Sequence, residues 1–203
     1  MISIGNDIVA LDTINAGRTR TTACYSKILT QPEIALYAST GLSSLPFEYF
    51  VWLIWSVKES VYKCAKRNNP HYSFSLKMIN ITTIQPLGKG RYQSTITFDS
   101  TLFYATSTLR PAFIRTQATN IAHPPNIKWG VKNIGSTEYS SQSAAVRQLL
   151  LDRLQHLFPN DHLHIEKAPA GFPILIKNGT PMSMPISFSH HHNLVYFAMI
   201  ISA

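Results

Sequence analysis

Acidic side chains are scarce in this chain: 10 Asp and Glu face 18 Lys and Arg over 203 residues, a formal charge of +8. The imbalance points to an acidic partner, whether phosphorylated metabolite, nucleic acid, anionic membrane or acidic protein, and charge alone does not choose among them. Cysteine is nearly absent. Cys24 and Cys64 stand in no metal-ligand spacing, and there is no basic-then-apolar leader, so the expectation is a reduced, cytoplasmic compartment. The longest apolar run, Leu194 to Ile201, is far short of a membrane span. There is no glycine-rich nucleotide loop and no strand-helix-strand alternation, so dinucleotide and P-loop folds are disfavoured. Only 14% of residues are charged and 45% are hydrophobic, which excludes a disordered chain.

What is present centres on Trp55-Ser-Val-Lys-Glu-Ser-Val-Tyr-Lys63, late in an apolar segment from about Pro46 to Arg67. Pro46 suits a first helical position, Ser44 is a capping candidate, and Asn68-Asn69-Pro70 ends the pattern, which predicts one long helix. Phe50, Ile54, Val57, Val61 and Cys64 recur at helical spacing and form its core face. At 100° per residue Glu59 points the opposite way, with Lys63 one turn beyond it and Trp52 and Trp55 on the same side. Lys58 and Lys63 thus flank an acid on the most apolar helix of the chain. A solvated i,i+4 pair of Glu59 with Lys63 is the rival account of these charges.

Ahead of that helix, Ile2 to Leu11 reads as a strand presenting Asp7 beside Gly5; taken alone, Asp7 is turn or capping chemistry. Thr30, Pro32 and Glu33 open a short helix to about Ser39. After Pro70 the pattern alternates: 74–84, 90–98, 101–107 and 112–119 read as antiparallel strands, with Gly88 and Gly90 at the first hairpin. His123-Pro-Pro-Asn126 marks a boundary, dividing the chain into lobes at 1–122 and 123–203. Beyond it come a helix over 141–158 with Val146, Leu150, Leu154, Leu157 and Phe158 on one face, strands at 163–166 and 173–176, and a hairpin over 185–200. The expected fold class is α+β: two similar lobes, each with a long helix packed on an antiparallel sheet. His190, His191 and His192 are consecutive on a strand that alternates faces, so they cannot all close on one ion. A single functional histidine is favoured, with His191 and His192 at an exposed hairpin tip.

An acid before the helix, an acid on it, nearby lysines and a distant Ser-His pair make a site for a divalent cation holding a phosphate ester. Mg²⁺ accepts two carboxylates together with water and substrate phosphates.

Gly5-Asn-Asp-Ile-Val9 followed by Trp55 to Lys63 resembles the two-part motif of the 4′-phosphopantetheinyl transferases, Gly-x-Asp and then Trp/Phe-x-x-Lys-Glu-Ala/Ser-x-x-Lys. Lys27-Ile-Leu-Thr30 with Glu33 resembles the segment between the motifs in the short holo-acyl-carrier-protein synthases, and Ser187-Phe-Ser-His190 resembles the family's Ser-His-Ser strand. The resemblance implies Mg²⁺-dependent transfer of the phosphopantetheine arm of coenzyme A to a serine of an acidic acyl or peptidyl carrier protein. Asp7 and Glu59 would bind the metal, and Glu59, directly or through water, would help deprotonate the serine. Lys63 would contact the pyrophosphate, and Ser189 and His190, with Lys58 nearby, would hold phosphates.

Three positions depart from the pattern. Val9 replaces the third acid of two-lobed members, Phe172 replaces the lysine of their Gly-Lys-Pro, and His191 replaces the last serine of Ser-His-Ser. Motif order follows the short, trimeric members, yet the length suits two lobes, so a permuted two-lobed monomer with its site between the lobes is expected over an oligomer of short-type subunits. A non-catalytic relative that binds coenzyme A or a carrier protein is the alternative reading. A basic nucleic-acid-binding module is disfavoured, because the basic residues are scattered rather than striped.

Overall fold

The computed structural model describes residues 1–39 and 41–201. Strand β1 (Ile4–Ala10) is followed by short helices α1 (Ala16–Thr19) and α2 (Thr22–Tyr25), then α3 (Gln31–Ser39) and the long α4 (Phe47–Asn68). Four strands follow, β2 (Asn80–Gly88), β3 (Arg91–Phe98), β4 (Thr101–Leu109) and β5 (Phe113–Thr119). They form an antiparallel sheet in the order β1-β5-β4-β3-β2. Residues 120–126 lead into β6 (Ile127–Asn133), α5 (Tyr139–Gln155), β7 (Leu163–Lys167), β8 (Pro173–Lys177), β9 (Thr180–Pro181), β10 (Ile186–His191) and β11 (Leu194–Ile200). These build two three-stranded sheets, β10-β11-β6 and β7-β8-β9. Both halves share one order, a first strand pairing antiparallel with the last and a long helix between them in sequence.

The α+β class follows from the two periodicities read in the sequence. Phe50, Ile54, Val57, Val61 and Cys64 of α4 are all fully buried against the five-stranded sheet. α5 buries Val146, Leu150 and Leu154 against Phe197 and Met199, whereas Leu157, expected on that face, lies past the helix end and is exposed. The 3₁₀ turn Leu76–Met78 occupies the start of the expected 74–84 strand, which begins only at Asn80. Ser44 does not cap α4; its hydroxyl donates to Gly41 C=O, and Pro46 stands at the N-cap. Thr30 and Glu33 do form half of a capping box, the Thr30 N–H donating to Glu33 Oε2 at 2.8 Å. No helix among the described residues is long and apolar enough to cross a membrane.

β6 was not foreseen. Its Ile-Lys-Trp-Gly-Val-Lys-Asn run is interrupted by Gly130, and the strand it forms is half exposed. A Cβ at Gly130 would stand 2.5 Å from the Phe197 ring, so the glycine admits that ring rather than breaking the strand.

β1 is buried along its whole length because both faces are covered. Val9 packs into the core around α4, while Ile4, Ile8 and Ala10 meet Leu194, Tyr196, Ala198 and Ile200 of β11. Asn6 ties the halves together, its N–H donating to Ser187 Oγ at 3.1 Å and its Nδ2 to Tyr196 C=O at 3.0 Å.

His191 is not at a hairpin tip. The turn uses only His192 and Asn193, so His191 stays paired opposite Leu194, and its Nδ1 accepts the Ala10 N–H at 3.0 Å. Burial pushes its pKa down, with His192 adding and Asp12 opposing. A depressed histidine pKa means that acid protonates the unfolded chain first, so this group's contribution holds above about pH 6.5 and is lost as pH falls below that. We predict a urea midpoint that drops between pH 7.5 and 5.5. His191→Gln is expected to cost about 1 kcal/mol at pH 7.5 and to flatten that drop; parallel pH dependences in the two proteins would refute it.

Candidate functional site

A cleft of about 420 Å³ opens between the halves, lined from one side by Asp7, Trp55, Glu59 and Lys63 and from the other by Ser189 and His190. Its first wall depends on how closely β1 approaches α4. Ser56 and Ser60 are small, and Gly5 has no side chain: a Cβ there would stand 2.0 Å from Ser60 C=O and 2.5 Å from Cys64 N. Two residues along the same face of β1, Asp7 is thereby set against α4 beside Lys63.

Lys63 Nζ donates to Asn6 C=O at 3.0 Å and lies 3.6 Å from Asp7 Oδ1. The i,i+4 pairing of Lys63 with Glu59 is absent among the described ion pairs, so the lysine is spent on the strand rather than on its own helix. Asp7 is nearly inaccessible, and its Oδ2 accepts no hydrogen bond among the described residues. Burial raises the Asp7 pKa, with Lys63 and hydrogen bonding from Ser56 and the Ile8 N–H opposing. Burial likewise raises that of Glu59, Lys63 opposing and Asp7 adding to the rise. Two carboxyls that repel on one wall of the cleft, one with an oxygen unpartnered among the described residues, form a hard-oxygen set suited to a small divalent cation. Among the described residues no three His, Cys, Asp or Glu side chains gather to hold a metal, so an ion here would take its other ligands from water or substrate.

On the second wall, Ser189 borders the cleft, and its buried Oγ, on the face of β10 that Ser187 and His191 turn to β1, has no partner among the described residues. His190 stacks edge-on to Tyr139 at 5.3 Å, and burial lowers its pKa, with Lys63 and His191 adding. Arg147 and Lys167 also line the cleft, and sequence reasoning missed both. Arg147 sits beside Val146 on α5, where the apolar stripe drew the attention; its Nη1 is held by Ser143 C=O at 2.8 Å and by Ser143 Oγ. The only sequence signal for these two was the unassigned excess of positive charge.

Lys58 corrects the reading of its neighbourhood. It is fully buried, does not reach the cleft, and donates to Glu33 Oε2 at 2.8 Å and to the carbonyls of Ile28 and Leu76, both at 2.9 Å. Glu33 Oε1 also accepts the Ile81 N–H at 3.2 Å. One residue from Glu59 is 100° around the helix, enough to send Lys58 under α3 instead of toward the cleft. Burial lowers its pKa, with Glu33 opposing. Lys58→Met would strand the Glu33 carboxylate, so a loss of about 3–5 kcal/mol is expected by chemical denaturation. The double variant Lys58→Met/Glu33→Gln should recover part of that loss; a Lys58→Met protein as stable as wild type would contradict the structural role.

A family model described as the 4′-phosphopantetheinyl transferase superfamily matches residues 3–118, more than half of the chain. The match contains Asp7, Glu59 and Lys63 and leaves Ser189 and His190 outside it. No curated protein matches the sequence.

Proposed function

Since the chain belongs to the 4′-phosphopantetheinyl transferase superfamily, we propose that it moves the phosphopantetheine arm of coenzyme A onto a serine of an acyl or peptidyl carrier protein. The observation that carries this reading is the convergence in one cleft of residues far apart in sequence, Asp7, Glu59 with Lys63, and Ser189 with His190. Two of them keep buried oxygens without a partner among the described residues, Asp7 Oδ2 and Ser189 Oγ. Unsatisfied buried polar atoms are costly, and a ligand that completes them removes that cost.

In this reading Asp7 and Glu59 would hold Mg²⁺, which would neutralise charge on the diphosphate. The carrier serine Oγ forms a bond to the phosphorus bearing the pantetheine, and the bond from that phosphorus to the bridging oxygen breaks. Adenosine 3′,5′-bisphosphate leaves. Glu59 accepts the serine proton, a task suited to a carboxyl whose pKa burial raises. Lys63, already oriented by Asn6 C=O, offsets charge on the departing phosphate. Ser189 donates to a phosphate oxygen, and His190 borders the same wall.

Both walls come from one chain, which supports a monomer as the working unit. The formal charge of +8 complements an acidic carrier protein. The test is intact mass of apo carrier proteins after incubation with this protein, coenzyme A and Mg²⁺. A gain of one phosphopantetheine group, abolished by EDTA, is the expected result. Coenzyme A binding without any mass gain would instead indicate a non-catalytic relative.

A further inference from the structure

Between Pro70 and Thr137 the chain holds seven lysines and arginines against one acid, Asp99. Several cations elsewhere have partners: Arg20 pairs with Glu48, Lys177 pairs with Asp161, and Arg67 donates to the carbonyls of Pro173 and Ile186. No ion pair among the described residues involves Lys89, Arg91, Arg110 or Arg115. Dispersed in the sequence, these four gather at one end of the five-stranded sheet. Lys89 lies in the β2–β3 turn and Arg110 in the β4–β5 turn. The two turns touch, the Leu109 N–H donating to Gly90 C=O at 2.7 Å and Arg110 Nη1 to Lys89 C=O at 3.3 Å. Arg91 and Arg115 both stand opposite Thr108, so the three side chains share one face. Asp99 is at the far end, in the β3–β4 turn, where it accepts from Tyr72 Oη at 2.6 Å.

That face is the one turned away from α4, whose side of the sheet carries Tyr92, Ile96, Phe103 and Ile114. The register lays it out in rows: Gln85, Gln93, Thr106 and Gln117 form one, and Thr83, Thr95, Tyr104 and Thr119 the next. The second half of the molecule covers the face over β1 and β5, and leaves Gln93 exposed and Thr95, Tyr104 and Thr106 half-buried. At the border, Trp129 of β6 is 46% exposed and carries the Arg115 guanidinium over its ring, 3.6 Å from the centroid.

We infer that this face binds single-stranded nucleic acid, with Lys89, Arg91 and Arg110 taking phosphates and Trp129 and Tyr104 taking bases. An open sheet with aromatic rings, hydroxyl and amide side chains in rows, and cations along one end supplies what such a strand requires. Rings stack on bases, donors and acceptors meet the base edges, and cations neutralise the backbone. The absence of any carboxylate from the rows is the charge complement of a polyanion. Leu102 is the one exposed aliphatic side chain that the register places on this face, which disfavours a membrane or a second copy of the chain as the occupant. None of these side chains borders the cleft, so the inference is independent of the coenzyme A reading.

The experiment is fluorescence anisotropy of labelled oligo(dT) and oligo(U), about 12 nucleotides long, titrated with the full chain at about 50 and 200 mM KCl. A duplex of equal length and vesicles of phosphatidylserine with phosphatidylcholine are run beside them. Single strands are expected to bind about tenfold tighter than the duplex or better, and to lose roughly 20- to 50-fold in affinity across that salt range, as three or four phosphate contacts imply. Trp129→Ala should weaken binding about tenfold and keep the salt dependence. The double variant Arg91→Gln/Arg110→Gln should weaken binding and lower the slope of log affinity against log salt by about 1.4. Both variants should modify carriers at the wild-type rate. No binding of single strands at the lower salt overturns the inference, whether or not vesicles bind, and so does a duplex bound as tightly as the single strand. An unchanged salt slope in the arginine variant overturns it too; Arg91 and Arg110 are exposed, so that variant decides if Trp129→Ala does not fold. Excess coenzyme A should leave the strand bound, and its release would place the strand in the cleft instead. A wild type that binds single strands yet modifies no carrier refutes the coenzyme A reading alone.

Discussion

Glu59→Gln is expected to reduce kcat/KM for carrier modification by about 10³-fold or more, while leaving the protein as stable as wild type or slightly more so. The first half follows from the two tasks assigned to this carboxylate, taking a proton and holding a divalent cation; removal of a general base alone commonly costs 10²–10⁴. The second half follows from its surroundings. Burial and the neighbouring Asp7 both raise the Glu59 pKa, which means that the folded protein penalises the charged form and a neutral isostere relieves the penalty. Opposite signs in activity and stability separate a functional charge from a structural one. The check is an initial-rate mass assay with a urea titration on the same preparation. Activity within tenfold of wild type would remove Glu59 from the chemistry.

Gly5→Ala is expected to have the largest effect on folding of any glycine-to-alanine change in the chain. The new Cβ would stand 2.0 Å from Ser60 C=O and 2.5 Å from Cys64 N, both backbone atoms of α4 that cannot swing aside as a side chain would. β1 and α4 would have to separate, and β1 is buried on both faces, so the strain has no exposed side on which to relax. A loss of about 4 kcal/mol or more, or failure to obtain folded protein, is predicted. Any folded fraction should also lose carrier modification although every polar side chain of the site is intact, because Asp7 rides on the same strand. A urea midpoint within about 1 kcal/mol of wild type would show that the close approach of β1 to α4 is not needed. The glycine of the Gly-x-Asp motif is thus a spacing device, and the aspartate two residues later is what the spacing serves.

The elements that the sequence makes legible are those whose pattern is local. The apolar period along α4 puts Phe50, Ile54, Val57, Val61 and Cys64 inward and Glu59 on the other side, and every one of those core positions is buried. Alternation along β3 to β5 is equally plain, because one face is wet and the other dry. β6 escaped because its glycine answers to Phe197, a residue far along the chain, and no local pattern records such a contact.

The candidate site divides the same way. Asp7, Glu59 and Lys63 sit on elements whose direction follows from periodicity, so their proximity could be expected once β1 was laid on α4. Lys58 could not be assigned from sequence, since its destination depends on Glu33, Ile28 and Leu76 packing under that side of the helix. Arg67, Arg147, Lys167 and His191 each carry a charge or a proton whose meaning depends on the other half of the molecule. By itself the sequence determined the strand, the long helix and which side of that helix carries the acid, because helical and strand periods are properties of neighbouring residues. Only the tertiary structure decided which cations are buried and which face a cleft, because a charge takes its environment from whatever packs against it, and those groups come from distant parts of the chain.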